Sequence, residues 1–216
     1  MVRASQSCPR CYFCPVLLVA LTGGIGSGKS SASALLVETG AVLVDADAIA
    51  RELQASTGKA FGPMVELFGD GVVGADGELD RAAIAAIVFP DAEKLAALNA
   101  LMLPMIGQEI YARIEAQRET GNVVLLDLPL LNMGTKNNYD TQAMIVVDCP
   151  TDVALDRVVN GPRAMKRADA EARIASQITR EERLKLADFV IDNSGSPEDL
   201  ELAVDECWKW VLTKRP

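Results

Sequence analysis

The sequence predicts an α/β protein built on a five-stranded parallel sheet, for three reasons. First, short apolar runs recur along the chain and alternate with segments of helical spacing. Second, these runs are continuously apolar, which is typical of parallel strands that helices cover on both faces. Third, a glycine-rich turn follows the first run, and acidic residues follow the second and third. In such sheets ligands bind where the strands end.

The predicted strands are apolar runs bounded by turn residues or polar residues. They comprise residues 16–21, 41–44, 123–127, 144–148 and 189–191. Helices are predicted between most of them, because apolar residues recur there three and four positions apart. These helical segments are residues 31–39, 48–56 and 152–187, the last of them rich in Arg and Lys.

A long stretch between the second and third predicted strands has a different character. Helical spacing recurs there in four segments, and Gly-Asp turns separate some of them. We therefore expect a helical insertion at this point of the sheet. Its predicted helices are residues 64–68, 81–88, 92–103 and 106–118.

The glycine-rich turn at residues 23–30 is the most informative motif, because it has the phosphate-binding pattern of Gly, four residues, then Gly-Lys-Ser. Glycines let the backbone turn tightly, so that its N–H groups face phosphate oxygens, and the helix that follows adds a partial positive charge. We expect Lys29 to reach the β and γ phosphates and Ser30 to ligate Mg²⁺. The predicted nucleotide-binding residues of this turn are Gly24, Ile25, Gly26, Ser27, Gly28, Lys29, Ser30 and Ser31.

Composition narrows the possible partners and chemistry. The 216 residues suit one α/β domain with an insertion, and their formal net charge of −9 argues against a nucleic-acid partner. The chain has no histidine, so that any general base must be of another residue type. No apolar run approaches the roughly 20 residues of a membrane span. We expect a cytoplasmic protein with reduced thiols.

Three of the five cysteines, Cys8, Cys11 and Cys14, have a spacing like that of metal ligands. A zinc site needs a fourth ligand, and no neighbouring residue supplies one. We therefore favour an extension without metal over residues 1–14, while a metal-binding or redox module stays the alternative. A secretory signal is rejected, because the apolar stretch continues directly into the phosphate-binding motif.

Together the motifs resemble those of the dephospho-CoA kinases. The resemblance rests first on residues 22–30 and on Asp45-Ala46-Asp47 with Arg51, and it covers roughly residues 16–205. The phosphate-binding motif is shared by many families, whereas the order in which all the motifs occur is much more specific. Further matches are residues 76–81, Val88-Phe89, 129–131, Arg173-Ile174, Gln177, Ala187-Asp188 and 192–194.

The resemblance implies transfer of the γ-phosphoryl group of ATP to the ribose 3′-hydroxyl of dephospho-CoA, with Mg²⁺ as cofactor. It also implies an adenylate-kinase-like, three-layer P-loop fold in a monomer or weak oligomer. In this interpretation residues 15–57, 119–149 and 179–216 form the nucleotide-binding core. Residues 58–118 form the helical substrate domain, and residues 150–178 form a lid.

The resemblance further suggests roles for individual side chains. Asp47 matches the family's proposed base, whereas Asp45 is better explained as a helix cap. Arg157 and Arg163 lie where the family has lid arginines that face the phosphates, with Arg163 aligned after allowance for the unusual residues 160–162, although a solvated basic helix would also explain both. The other candidates are Thr22, Arg51, Asp80 and Arg81 for the substrate and Asn193 for the nucleotide. Bracing the insertion would equally explain Arg51, Asp80 and Arg81, and a turn would explain Asn193.

Two positions depart from the family pattern. Leu103 precedes Pro104 where the family usually has His, and Met133 stands where it usually has Glu. Both changes replace a polar group with an apolar one. One alternative function is therefore that of a catalytically impaired relative that binds ATP and dephospho-CoA. The second alternative is a small-molecule kinase with another acceptor.

Overall fold

A computed structural model describes residues 16–128, 139–161 and 164–215 of the chain. The described strands form one parallel sheet in the order β2-β3-β1-β4-β5. This confirms the predicted fold class, and each strand lies within two residues of its predicted position. The strands are β1 (Leu17–Gly23), β2 (Val42–Asp45), β3 (Val123–Asp127), β4 (Ala143–Asp148) and β5 (Phe189–Asp192).

Helices cover both faces of this sheet, as the continuously apolar strands predict. The described helices are α1 (Lys29–Glu38), α2 (Ala46–Gln54), α3 (Phe61–Phe68), α4 (Arg81–Val88), α5 (Ala92–Glu115), α6 (Thr151–Asn160), α7 (Arg167–Ala175), α8 (Arg180–Lys185) and α9 (Pro197–Leu212). A short 3₁₀ turn, Asp70–Val72, lies between α3 and α4. The basic segment predicted as helical, residues 152–187, is thus divided among α6, α7 and α8.

Two apolar cores form because successive side chains of a strand point to opposite faces of the sheet. In β1, Leu18 and Ala20 contribute to the core beneath α2–α5, whereas Leu17, Val19 and Leu21 contribute to the core beneath α1 and α9. All five side chains are at most 3% exposed. The sheet is therefore the rigid layer from which the loops at its carboxyl edge project.

The strand register brings polar residues together at this carboxyl edge. Asp45 of β2 pairs directly with Asp127 of β3, and Asp148 of β4 pairs with Asp192 of β5. Between these two pairs, β1 ends at Gly23, which pairs with Val147. Four acidic residues thus flank the glycine-rich loop on both sides.

The predicted break at residues 104–105 is wrong, because α5 continues through Pro104. Proline has no N–H, so the carbonyl of Ala100 lacks its usual partner within the helix. Both Pro104 and Ala100 are exposed, so water can replace the missing hydrogen bond. With 24 residues α5 is long enough for a membrane span but not apolar enough, and the other described helices are shorter, so none of the described helices could cross a membrane.

We expect Pro104→Ala to raise the free energy of unfolding by about 1–2 kcal/mol. Proline costs about 3 kcal/mol inside a helix, and the greater freedom of alanine in the unfolded chain offsets about 1 kcal/mol of this gain. Pro197→Ala is the matched control, because Pro197 lies in the first turn of α9, where its fixed φ suits the helix. Urea unfolding followed by circular dichroism would measure both changes, and a loss of stability in Pro104→Ala would contradict the explanation.

Candidate active site

The glycine-rich loop joins β1 to α1 in a conformation that only glycine adopts without strain. Gly26 and Gly28 have φ values of +75° and +85°, and Gly28 is the N-cap of α1. A Cβ atom on Gly28 would lie 2.0 Å from Nδ2 of Asn193, and one on Gly23 would lie 2.5 Å from Oγ of Ser27. Glycine is therefore required here for both backbone conformation and space.

Lys29, the first residue of α1, forms an ion pair with Asp127, the last residue of β3. Asp127 is only 5% exposed. Burial raises the pKa of its carboxyl group, the ammonium group of Lys29 opposes that rise, and the negative charges of Asp45 and Asp47 add to it. The ammonium group therefore lies among negative charges beside the loop.

Asp45 and Asp47 differ in what their carboxylates do, as the sequence suggests. Asp45 is the N-cap of α2 and accepts a hydrogen bond of 2.9 Å from the N–H of Ala48, which confirms its capping role. Its other oxygen lies 3.6 Å from Nη2 of Arg51. Asp47 lies exposed in the first turn of α2 and makes no hydrogen bond or ion pair with the described residues.

Asn193 supports the loop from the end of β5. Its buried side chain donates a hydrogen bond of 2.7 Å to the carbonyl of Ser27, and its own N–H donates to Asp148. Its carbonyl accepts a hydrogen bond of 2.8 Å from Nη1 of Arg157 in α6. The amide of Asn193 is thus used to position the loop, and a direct contact with nucleotide stays a prediction.

The segment from α7 to α8 contains three residues that the sequence-based site omits. Oε1 of Gln177 accepts a hydrogen bond of 3.1 Å from the N–H of Ile25 in the loop. Arg180 binds the carboxylate of Asp148 with both Nε and Nη2, at 2.9 and 2.6 Å. Arg183 lies against Gly24. The resemblance to the family at Gln177 could have identified this residue from the sequence. The sequence around Arg180 and Arg183, in contrast, looks like that of any solvated basic helix.

The remaining candidates lie at varied depths in the fold. Thr22, near the end of β1, is only 3% exposed, whereas Ser30 and Ser31 are exposed in the first turn of α1. Asp80 caps α4, where it accepts hydrogen bonds from the N–H groups of Ala82 and Ala83. Together with the exposed Arg81 it lines an open cavity of about 630 Å³ on the insertion, apart from the loop.

Several predicted features lie outside the described residues. They are Arg163, Met133 and the three N-terminal cysteines, Cys8, Cys11 and Cys14. Within the described ranges, no group of three or more His, Cys, Asp or Glu side chains is arranged to hold a metal ion. Leu103, the other departure from the family pattern, is described, and it lies on α5 with 63% of its surface exposed.

Comparison with known proteins adds independent evidence. The family model described as dephospho-CoA kinase matches residues 17–199. The dephospho-CoA kinase of Streptomyces avermitilis is 46% identical over 194 residues, which make up 89% of this chain and 93% of that protein. A crystal structure of TT1252 from Thermus thermophilus is 32% identical, with a TM-score of 0.74 over 91% of this chain and 98% of that one.

A solved dephospho-CoA kinase from Campylobacter jejuni superimposes with a TM-score of 0.66 over 90% of this chain and 97% of that one. At 23% identity it supports the fold alone. The family model and the curated relative extend further, since they cover the loop, the acidic edge of the sheet and the helical insertion. The chain therefore belongs to the dephospho-CoA kinase family.

Proposed function

We propose that this chain transfers the γ-phosphoryl group of ATP to the 3′-hydroxyl of the dephospho-CoA ribose. In addition to family membership, one structural observation supports the proposal. Lys29 of the glycine-rich loop lies beside Asp127, whose carboxyl group is close enough to Asp45 and Asp47 for their charges to raise its pKa. A cation that can bind phosphates and a carboxylate that can accept a proton thus occur at one edge of the sheet.

The loop suits the triphosphate of ATP. The left-handed conformations of Gly26 and Gly28 allow the loop to turn tightly, and the N-terminus of α1 favours negative charge. In the proposed complex Lys29 moves from Asp127 toward the β and γ phosphates.

The residues present also fit Mg²⁺. The hydroxyl group of Ser30 is exposed in the first turn of α1, and the carboxylate of Asp127 lies at the end of the neighbouring strand. Mg²⁺ in kinases takes few protein ligands and several phosphate oxygens and waters, so a three-acid cluster is not needed. Once bound, the ion would neutralise charge on the transferring group.

The proposed transfer proceeds in line. The 3′-oxygen of the ribose attacks the γ-phosphorus, an oxygen–phosphorus bond forms, and the bond from the γ-phosphorus to the β–γ bridging oxygen breaks, which releases ADP. Asp47 orients the hydroxyl group and accepts its proton, which then passes to solvent. Positioning and charge neutralisation contribute most in phosphoryl transfer, and the base contributes about 10²–10⁴-fold.

The other assignments are part of the same proposal. The helical insertion, residues 58–118, would bind dephospho-CoA, with Arg51, Asp80 and Arg81 as candidate contacts. Residues 150–178 would form a lid that excludes water when it closes, with Arg157 and Arg163 facing the phosphates. We also propose a cytoplasmic monomer or weak oligomer, and the free thiols of Cys149 and Cys207 are compatible with a reducing compartment.

One observation favours a second candidate function. Leu103 is exposed on α5 of the proposed substrate domain, so its side chain is available to a ligand and does not serve the core. An apolar group at this position would remove a polar contact to the acceptor. The second candidate is therefore a relative that binds ATP and dephospho-CoA but transfers the phosphoryl group slowly.

We expect the purified protein to form coenzyme A and ADP from dephospho-CoA and Mg·ATP. Mass spectrometry of the products would detect the added phosphoryl group, with adenosine and a nucleoside monophosphate as competing acceptors. Turnover of another acceptor in preference to dephospho-CoA would refute the proposed substrate. Tight binding of both ligands without product would support the second candidate.

We expect Lys29→Met to abolish transfer and to destabilise the protein by roughly 3 kcal/mol at pH 7, because Asp127 would stay buried without its counter-charge. The pKa of Asp127 in the folded state would then rise further above its value in the unfolded state. The loss of stability should therefore shrink as the pH falls through the raised pKa and Asp127 takes up a proton. Thermal unfolding from pH 7 to pH 4.5 would measure this trend.

The exposed Lys209→Met is the matched control for this change. It removes the same charge from α9, far along the chain from the loop, and should leave transfer unchanged. A destabilisation of Lys29→Met that did not vary with pH would contradict the assignment of Asp127 as the responsible group.

We expect Asp47→Asn to lower kcat by about 10²–10⁴-fold while the Kd for ATP changes little. The amide can still orient a hydroxyl group but cannot accept its proton. Asp45→Asn is the matched control, because asparagine caps helices as well as aspartate does, and it should lower kcat far less. Steady-state kinetics with calorimetric ATP titration would separate the two effects, and full turnover by Asp47→Asn would disprove its role as base.

A further inference from the structure

We propose that Arg183, in α8, binds the γ-phosphoryl group of ATP and neutralises its charge during transfer. This inference rests on the proposed function, since it assigns a further residue to the same site. The guanidinium group lies against Gly24, near the start of the loop. A Cβ atom on Gly24 would lie 2.7 Å from Nη2, 3.0 Å from Cζ and 3.2 Å from Nη1 of Arg183.

Arg183 has almost no partner within the described part of the chain. Its Nε is buried without a hydrogen bond, and its Nη1 makes only a long one, 3.4 Å, to the carbonyl of Ile178. The carboxylate that could neutralise it, Asp148, is bound in bidentate fashion by Arg180. The side chain is half-buried, and taking a charged group partly out of water without a partner is unfavourable, so this arrangement needs an explanation.

The charge of Arg183 also supports a role in binding an anion. Burial lowers the pKa of Arg183, the negative charge of Asp148 opposes this effect, and the positive charge of Arg180 adds to it. Arginine nevertheless stays protonated at neutral pH, because its ordinary pKa lies so far above 7. The group is thus a half-buried cation with unused donors, and such a cation binds anions well.

The space beside Arg183 also fits an anion. A cavity of about 230 Å³ is lined by residues of the loop, α6, α7 and α8, and it has room for a phosphoryl group and several waters at about 30 Å³ each. Among the described residues, two buried side-chain atoms lack a hydrogen-bond partner, Nε of Arg183 and Oγ of Ser27. Both residues line this cavity, so a polar ligand in it would lie close to both.

The position along the loop indicates the γ-phosphoryl group. Asn193, the proposed nucleotide contact, lies beside Gly28, at the start of α1. Arg183 contacts Gly24, at the opposite end of the loop. A triphosphate whose middle lies over the N-terminus of α1 would therefore place its terminal phosphate toward Arg183.

Contacts at both ends of α8 hold the helix, and with it Arg183, in place beside the loop. Thr179 and Glu182 form a capping box that starts α8, and the N–H of Asp188 binds the carbonyl of Met144 just before β5. Gln177, which precedes α8, holds the N–H of Ile25. Both ends of α8 are thus tied to the nucleotide-binding core.

The test compares Arg183→Met with Lys185→Gln, an exposed charge removal in the same helix. Calorimetry would measure Kd for ADP and for AMP-PNP in MgCl₂. We expect the ratio of the AMP-PNP Kd to the ADP Kd to rise at least about tenfold in Arg183→Met and to stay at the wild-type value in Lys185→Gln. We also expect kcat to fall on the order of 10²–10³-fold in Arg183→Met.

Arg183→Lys tests the geometry, because it retains the charge but loses the planar fork, and it should recover only a small part of kcat. Without nucleotide, Arg183→Met should be at least as thermostable as the wild type, since an unpaired, half-buried charge is removed. A lower Tm together with equal loss of ADP and AMP-PNP binding would overturn the proposal in favour of a structural role. An unchanged affinity ratio would also overturn it.

These outcomes are separate from those of the proposed function. If the wild type forms no coenzyme A, the affinity ratio still decides whether Arg183 contacts the terminal phosphate. If the wild type is active and Arg183→Met retains its kcat and affinity ratio, the proposed function stands and the role of Arg183 is refuted.

Discussion

The ion pair between Lys29 and Asp127 is the interaction on which the rest of the site depends. It joins the first residue of α1 to the last residue of β3, and so it connects the loop to the sheet beside it. Asp127 is buried next to two further carboxylates, so it needs a cation nearby. Lys29 is that cation, and it is also the residue proposed to bind the phosphates of ATP. Without nucleotide the ion pair therefore holds the Lys29 side chain close to the proposed phosphate site.

The loop itself is held in place by residues from distant parts of the chain. Asn193 holds the carbonyl of Ser27 from the end of β5, and Gln177 holds the N–H of Ile25 from the segment before α8. These contacts satisfy backbone groups that a glycine-rich turn cannot satisfy by itself. They also connect the segment from α7 to β5 with the nucleotide-binding loop. A movement of that segment would therefore shift or break these hydrogen bonds to the loop backbone.

The insertion shows where local sequence rules fail. Helical spacing located α4 at its observed bounds and located both halves of α5, but Pro104 was taken as the end of a helix. The structure keeps the helix continuous because the affected turn faces solvent and water can satisfy the freed carbonyl group. A single sequence does not show which side of a helix faces water at a proline, and so the break could not be excluded.

The sequence by itself determined the strands, their parallel arrangement, the loop and the capping role of Asp45, because these depend on local apolar patterns, glycine geometry and short-range hydrogen bonds. Tertiary structure decided which distant groups meet at the loop. The pairing of β2 with β3 placed Asp45 beside Asp127, and the packing of α8 placed Arg183 against Gly24. Spacing along the chain does not encode such contacts, since they depend on strand order and on how helices pack over the sheet. For this reason a half-buried arginine beside the loop and an arginine on a solvated helix look alike in the sequence.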